Sequence, residues 1–263
     1  MENFKFKKSF GQNFLQDKNI IKSIVDKTKI QANSLVIEVG PGSGSLTSEL
    51  AKVAKQVISY EIDSRLEEIL DENLKEYHNI KIIYDDFLNR DIKNDVKEFD
   101  CDNIYFVANI PYYITTPILV KLVESKLNFE TITMMIQKEV ADRFSAKVKT
   151  RNYSSITVFL NYYFDIEKLL YVSRNAFIPK PNVDSEVIAL RRKKIIKKAN
   201  NEEFFFKLVR DSFRFKRKNI RNNLKNYNLE VVSDVLRKYN KDLTSRAEEL
   251  ELDIFIDLAN NLN

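Results

Sequence analysis

The chain has 263 residues and a mass of 30.9 kDa, enough for one large or two modest domains around a sizeable core. Hydrophobic residues make up 44% and charged residues 31%, an ordinary globular composition; no apolar run approaches a membrane span, and MENFKFKKSFGQNFL lacks the apolar stretch of a secretory signal. A single cysteine, Cys101, excludes an intramolecular disulfide and fits a reducing cytoplasm, while one cysteine and one histidine (His78) leave no zinc site of the His/Cys type and no supported Ser-His-Asp or Cys-His mechanism.

In chain order, short β-branched runs predict strands at 35–39 (LVIEV), 57–61 (VISYE), 80–84 (IKIIY), 104–108 (IYFVA) and 131–136 (TITMMI). Helical patterns at 45–55, 64–76, 116–126 and 137–147 alternate with them, which predicts a parallel α/β sheet covered on both faces. Two further extended segments, 166–172 and 185–191, flank FIPKP. Beyond Lys198 the pattern is purely helical. Over 202–225, Phe205, Val209, Phe213, Ile220 and Leu224 fall on one face, expected to pack on the catalytic domain, and Lys207, Arg210, Arg214, Lys218, Arg221 and Lys225 on another. The expected division is a catalytic α/β domain over 1–192, with 1–30 as its N-terminal segment, and a helical domain over 193–263.

The net charge of +5 is unevenly spread. Residues 1–190 hold 25 Lys+Arg against 27 Asp+Glu, whereas 191–225 alone hold 14 against 3. Such a block suggests a polyanion, with nucleic acid ahead of an anionic membrane, and the arginines in it suit bidentate phosphate contacts. The basic residues assigned to RNA are Lys207, Arg210, Arg214, Arg217, Lys218 and Arg221.

Three of the four glycines, Gly40, Gly42 and Gly44, fall within five residues of LVIEVGPGSGSLTSEL, a strand, a tight turn and a helix. Glycine there lets the backbone approach a ligand, and the helix start offers unpaired N–H groups. Glu61, 21 residues after Gly40, ends the next strand where a carboxylate can accept from ribose hydroxyls. The spacing is G-x-G-x-G rather than the dinucleotide G-x-G-x-x-G, so the loop implies a nucleoside cofactor without choosing which. After the fourth strand comes Asn109-Ile110-Pro111-Tyr112. An amide oxygen and a carbonyl there can accept both N–H bonds of an aromatic exocyclic amine and aim its nitrogen at an electrophilic methyl. Pro111 stiffens the turn, and Tyr112 can stack on the base. In Phe177-Ile178-Pro179-Lys180-Pro181, two prolines make a stiff loop that either presents Phe177 as the opposite wall of a base slot or leaves it in the core.

These residues carry a resemblance. SFGQNFLQD, EVGPGSGSLT, YEID, DDFL, VANIPYYITTPIL, IQKEVADRF, FIPKPNVDSEV, FRFKRKNIRNNL and RAEELELDIF run almost end to end. In this order they resemble the small-subunit ribosomal RNA adenine dimethyltransferases of the kasugamycin-sensitivity (KsgA/RsmA) type. The resemblance implies a Rossmann-like S-adenosylmethionine-dependent methyltransferase fold with a small C-terminal all-helical domain. It implies dimethylation at N6 of two adjacent adenosines in a hairpin loop near the 3′ end of 16S rRNA, on an immature 30S subunit, by a cytoplasmic protein acting as a monomer away from membranes. By motif, Gln12, Asn13 and Leu15 would border the cofactor, Gly40 and Gly42 would pass its methionine moiety, Glu61 would hold the ribose and Asp86 the adenine amine. Asn109 would meet both the methionine end and the target amine, with Tyr112 and Phe177 sandwiching the target base. The family's paired arginines before the lysine read Phe215-Lys216-Arg217-Lys218 here, which keeps the charge but removes one bidentate donor.

Three other readings compete. The large-subunit rRNA adenine dimethyltransferases of macrolide resistance share the glycine loop and N-x-P-Y, but FIPKPNVDSEV and RAEEL favour the small-subunit type. A non-catalytic ribosome-assembly factor would have no need of an intact glycine loop, Glu61 and NIPY. A nicotinamide dehydrogenase is disfavoured by the loop spacing and the lack of an acid/base histidine.

Overall fold

IYFVA is apolar at consecutive positions and LVIEV is interrupted only by Glu38, and a strand covered on both faces buries such runs. In the computed structural model, which describes residues 14–15, 17–193 and 197–263, both lie in such strands. Gln12 and Asn13 lie outside the described residues. Contacts divide the chain into two units: one runs up to Ala141 and takes in Glu167–Arg191, and the other comprises Asp142–Ile166 and Arg192–Asn263.

The described elements begin with β1 (Phe14–Leu15), α1 (Lys18–Thr28), β2 (Ser34–Val39), α2 (Ser45–Ala51), β3 (Gln56–Tyr60), α3 (Glu67–Leu74), β4 (Ile80–Ile83) and α4 (Ile92–Asp95). Then come β5 (Asn103–Asn109), α5 (Thr115–Glu124), β6 (Phe129–Gln137), α6 (Lys138–Phe144), α7 (Ser155–Tyr163), β7 (Phe164–Val172), β8 (Phe177–Ile178) and β9 (Ser185–Arg192). The chain closes with α8 (Glu202–Ser212), α9 (Ile220–Asn223), α10 (Leu229–Arg237) and α11 (Leu252–Leu262). Among the described residues no helix is long and apolar enough to cross a membrane.

In the first unit the sheet order is β4-β3-β2-β5-β6-β9-β7. The five strands from β4 to β6 run parallel and β9 is antiparallel to β6. Each predicted strand is present, with ends shifted by one or two residues. Val36 and Ile37 pair with Val57 and Ile58 on one side and with Tyr105 and Phe106 on the other, all buried. Because β3 and β4 are laid down on one side of β2 and β5 on the other, the order reverses between β2 and β5. In open α/β sheets that reversal opens a crevice beyond the carboxyl ends of the strands.

The second unit has its own core: Tyr153, Val158 and Tyr162 pack with Phe205, Val209, Ile220, Leu224, Val235, Leu236 and Phe255. The expected division at residue 192 differs from this one by residues 142–166. The reason lies in Tyr162, whose ring lies 4.9 Å from that of Phe205 and whose hydroxyl donates to Glu202 at 3.0 Å. The apolar face of 202–225 is therefore buried in its own unit's core. That stretch is also not one helix. α8 ends at Ser212, and the chain restarts at α9 with Asn219 as its cap, accepting from the Asn222 N–H at 3.1 Å. Asparagine competes for backbone groups inside a helix and is favoured at its start, so the periodic spacing of charges continues across a break.

Phe205→Ala should cost the second unit about 3–5 kcal/mol, because a fully buried ring leaves a cavity its neighbours only partly fill. Urea unfolding followed by circular dichroism checks this, and a loss under about 1 kcal/mol would contradict the placement of Phe205 in the core.

Candidate active site

A cavity of about 360 Å³ lies at the reversal point, at the size small-ligand sites occupy. Its walls come from the ends of four strands: Gly40 and Gly42 after β2, Glu61 after β3, Asp86 after β4, and Asn109 to Tyr112 at the end of β5. Phe14 and Leu15 of β1 complete the wall. The glycine loop is shaped for close approach. Gly42 has φ +59°, and a Cβ there would stand 2.6 Å from the Phe14 ring. The Gly40 N–H donates to the Tyr60 carbonyl at 2.9 Å, which fixes the loop to the end of β3.

Glu61 ties two loops together. Its Oε2 accepts from the Gly42 N–H at 3.2 Å and its Oε1 from the Asp63 N–H at 2.9 Å. It is 5% exposed, and burial pushes its carboxyl above the ordinary range against those two N–H bonds. Asp86 accepts from the Leu88 N–H at 2.9 Å. That turn is held from below by Lys121, whose Nζ donates to the carbonyls of Leu88 at 3.0 Å and Arg90 at 2.6 Å. Phe87 is buried edge-on against Tyr60, ring centres 5.1 Å apart.

Asn109 is half-buried at the last position of β5, and a Cβ on Gly40 would lie 3.9 Å from its carbonyl oxygen. Ile110 is buried, and Pro111 at φ −57° leads into a short turn of helix over Tyr112–Ile114. The Tyr112 hydroxyl lies 2.8 Å from the Ser185 hydroxyl at the start of β9, so the ring is anchored at its far end. Burial raises the Tyr112 phenol, keeping it neutral.

Leu15, Gly40, Gly42, Glu61, Asp86, Asn109, Ile110, Pro111 and Tyr112 thus share one cavity. Phe177 does not join them. It is 2% exposed, in a core cluster with Leu15, Met135, Val172 and Val187. β8 pairs antiparallel with β1 and sets Phe177 opposite Leu15, so both side chains join one core cluster, of which Leu15 alone also lines the cavity. Of the two readings of the FIPKP loop, the core placement is the one found.

Three residues escaped sequence reasoning: Tyr113 and Glu38 line the cavity, and Ser185 is the partner of the Tyr112 hydroxyl. Tyr113, 62% exposed, also lines the cavity, and doubled Tyr after N-x-P was its signal. Ser185 gives no sequence signal, since its bond to Tyr112 spans 73 positions. Glu38 stands just before the glycine loop, on a strand whose other residues after Ser34 are apolar. It is 1% exposed, its Oε2 accepts from the Ser59 hydroxyl at 2.7 Å, and among the described residues its Oε1 and the nearby Thr47 hydroxyl have no hydrogen-bond partner. Burial pushes its carboxyl up to about 7.

The basic residues expected to meet RNA belong to the second unit. Lys207 and Arg210 stand one turn apart on α8, Arg214, Arg217 and Lys218 in the turn after it, and Arg221 on α9. All six are exposed, and among the described residues no carboxylate pairs with any of them.

A mostly parallel sheet with a glycine loop and N-x-P-Y at its reversal point is the architecture of a Rossmann-like methyltransferase. The chain belongs to the ribosomal RNA adenine dimethylases: the model of the family with that description matches residues 3–263. It is 44% identical to the protein named Ribosomal RNA small subunit methyltransferase A of Bacillus mycoides (strain KBAB4), over 98% of this chain and 92% of that one. Among solved structures it is similar to a dimethyladenosine transferase from Plasmodium falciparum, with TM-score 0.79 and 28% identity over 93% of this chain and 95% of that one. It is also similar to the 23S rRNA methyltransferase ErmE, with TM-score 0.76 and 30% identity over 95% of this chain and 99% of that one.

Two outcomes follow for the site. Gly42→Ala combines an unfavourable φ with a clash against Phe14, and should weaken nucleoside-cofactor binding at least about ten-fold with a destabilisation of about 1 kcal/mol or more. Calorimetric titration and thermal unfolding check both. For Glu38, the folded carboxyl keeps its proton where the unfolded one, near 4.5, has lost it. Folding stability is therefore lost as pH rises from about 4.5 through about 7, by on the order of 3 kcal/mol. Glu38→Gln should flatten that fall in a series of urea midpoints; an unchanged slope would assign it to another group.

Proposed function

We propose that this chain transfers methyl groups from S-adenosylmethionine to N6 of two adjacent adenosines in the 3′-terminal hairpin loop of 16S rRNA. Its substrate would be the immature small subunit, and it would act as a monomer in the cytoplasm. The observation that carries the reading is the meeting of the glycine loop, Glu61 and Asn109–Tyr112 in one cavity.

The cavity suits an elongated nucleoside bearing an amino-acid arm. A Cβ on Gly42 would close the loop against Phe14, and the buried orphan Oε1 of Glu38 supplies a polar group on the same wall. In this reading Gly40 and Gly42 flank the methionine arm, Glu61 accepts from the ribose hydroxyls, Asp86 accepts from the adenine amine and Leu15 borders the ring. Gln12 and Asn13 are assigned to the cofactor's border by family resemblance alone. The cofactor, when bound, supplies an electrophilic methyl.

The chain's own part is to position the amine. The Asn109 side-chain oxygen and the Ile110 carbonyl accept its two N–H bonds and draw the lone pair out of the aromatic ring. Pro111 limits the motion of that turn, and Tyr112, anchored on Ser185, stacks on the extruded base. No side chain need act as general base: the proton released on methylation goes to water. Phe177 packs in the core with Leu15 rather than stacking on the base. The small subunit as substrate is supported by the higher identity to relatives named for it than to the 23S enzyme.

The test is methyl transfer from labelled S-adenosylmethionine to small and large ribosomal subunits that lack the modification. Incorporation in small subunits alone, near four methyls per particle by the family's stoichiometry, is expected. Label in large subunits would move the substrate to the other particle. No label, with cofactor bound, would leave an assembly factor. Asn109→Ala should lower turnover about 10²–10³-fold with a far smaller change in cofactor affinity; equal losses would make Asn109 a cofactor-binding residue instead.

A further inference from the structure

The turn between α8 and α9 is fixed by one side chain. Asn223 Nδ2 donates to the carbonyls of Ser212 at 2.7 Å, Phe215 at 3.3 Å and Lys218 at 3.4 Å, and its Oδ1 accepts from the Phe215 N–H at 3.1 Å. The Lys218 N–H closes the turn on the Phe215 carbonyl at 2.9 Å. Lys216 is drawn aside, its Nζ donating to the Arg151 carbonyl at 2.9 Å.

What this held turn displays is an aromatic ring among cations. Phe215 is 56% exposed, and among the described residues it is the sole exposed large apolar side chain of the second unit. The Arg214 guanidinium lies over the ring, 5.6 Å from its centre. Arg217 and Lys218 are exposed, and among the described residues no carboxylate pairs with either. A ring with no second exposed large apolar side chain in its unit, among the described residues, suits neither a protein hot spot nor insertion into lipid, both of which gather exposed apolar side chains. A flat partner that carries its own negative charge fits both the ring and the cations.

We propose that Phe215 is a stacking platform for an unpaired rRNA base, with Arg214 covering one part of the ring and Arg217 and Lys218 on the flanking phosphates. This rests on the rRNA reading above and adds to it a base contact. Stacking tolerates any base, because every base offers a π face. It therefore adds affinity without adding sequence preference.

The chain has no tryptophan, so Phe215→Trp makes the full-length protein a single-tryptophan reporter, excited at the red edge where its tyrosines do not absorb. A single-stranded oligoribonucleotide should quench its emission, whereas inorganic polyphosphate of equal charge should bind without quenching. Phe215→Ala should weaken binding of the oligoribonucleotide about ten-fold with an unchanged salt slope, and Phe215→Tyr should restore it. Arg217→Ala should instead lower the salt slope by about one. Quenching by polyphosphate as strong as by RNA, or Phe215→Ala binding RNA like the wild type, overturns the platform and leaves the rRNA reading standing. No RNA binding by the wild type overturns the platform, while methyl transfer to small subunits decides the rRNA reading separately. An emission shift on anionic vesicles without quenching by RNA would give the ring to a membrane surface and also overturn the proposal.

Discussion

The parallel pairing of β2 with β5 is the constraint from which the site follows. Parallel neighbours present their carboxyl ends at the same edge of the sheet, so the loop after Val39 and the loop after Asn109 emerge side by side. Their closeness is visible at Gly40, where an added Cβ would stand 3.9 Å from the Asn109 carbonyl. A slip of one residue would turn every side chain of β5 to the opposite face and carry Asn109 away from the glycine loop. Both strands are largely buried, and a slip of β2 would also carry the buried Glu38 out of register with its partner Ser59, which makes it costly. The third strand is joined to this pair through Glu61, whose carboxylate is bonded to the Gly42 backbone. The acid thus shapes the loop beside it and lines the same cavity.

Much of the first unit was legible in the sequence because its signals are local. A strand of five apolar residues, three glycines in five positions and an N-x-P-Y turn each span less than one element, and the backbone geometry follows from them directly. What could not be read is long-range. Ser185 holds Tyr112 from 73 positions away, and Phe177 is buried because two short strands, β1 and β8, happen to pair. The spacing of Lys207, Arg210, Arg214, Lys218 and Arg221 mimics a continuous helix, yet Asn219 and Asn223 use their side chains to end one helix and begin another. Periodicity reports which way side chains point when a helix forms. It does not report competition for the backbone by asparagine.

The cavity concentrates groups that folding alone would avoid. A carboxyl with an orphan oxygen at Glu38 and a second buried carboxyl at Glu61 lie on one wall. Buried acids of this kind weaken a fold unless something compensates, and sites of chemistry are where such groups persist. The apolar clusters beneath the sheet, with Val36, Val57, Tyr105 and Val107 all buried, supply the stability against which those groups are held.

The chain passes between its two units three times, leaving the sheet after Ala141, returning at Glu167 and leaving again after Arg191. Cutting it at the last passage would not separate the units. The piece left behind would keep the 142–166 arm, with Tyr153, Val158 and Tyr162 stripped of the helices that cover them. Such a fragment would be sticky rather than minimal. Exchange of the helical unit between relatives would need two segments moved together, so recombination at a single point produces mismatched halves. The interlaced path thus binds the inheritance of the sheet unit to that of its basic companion.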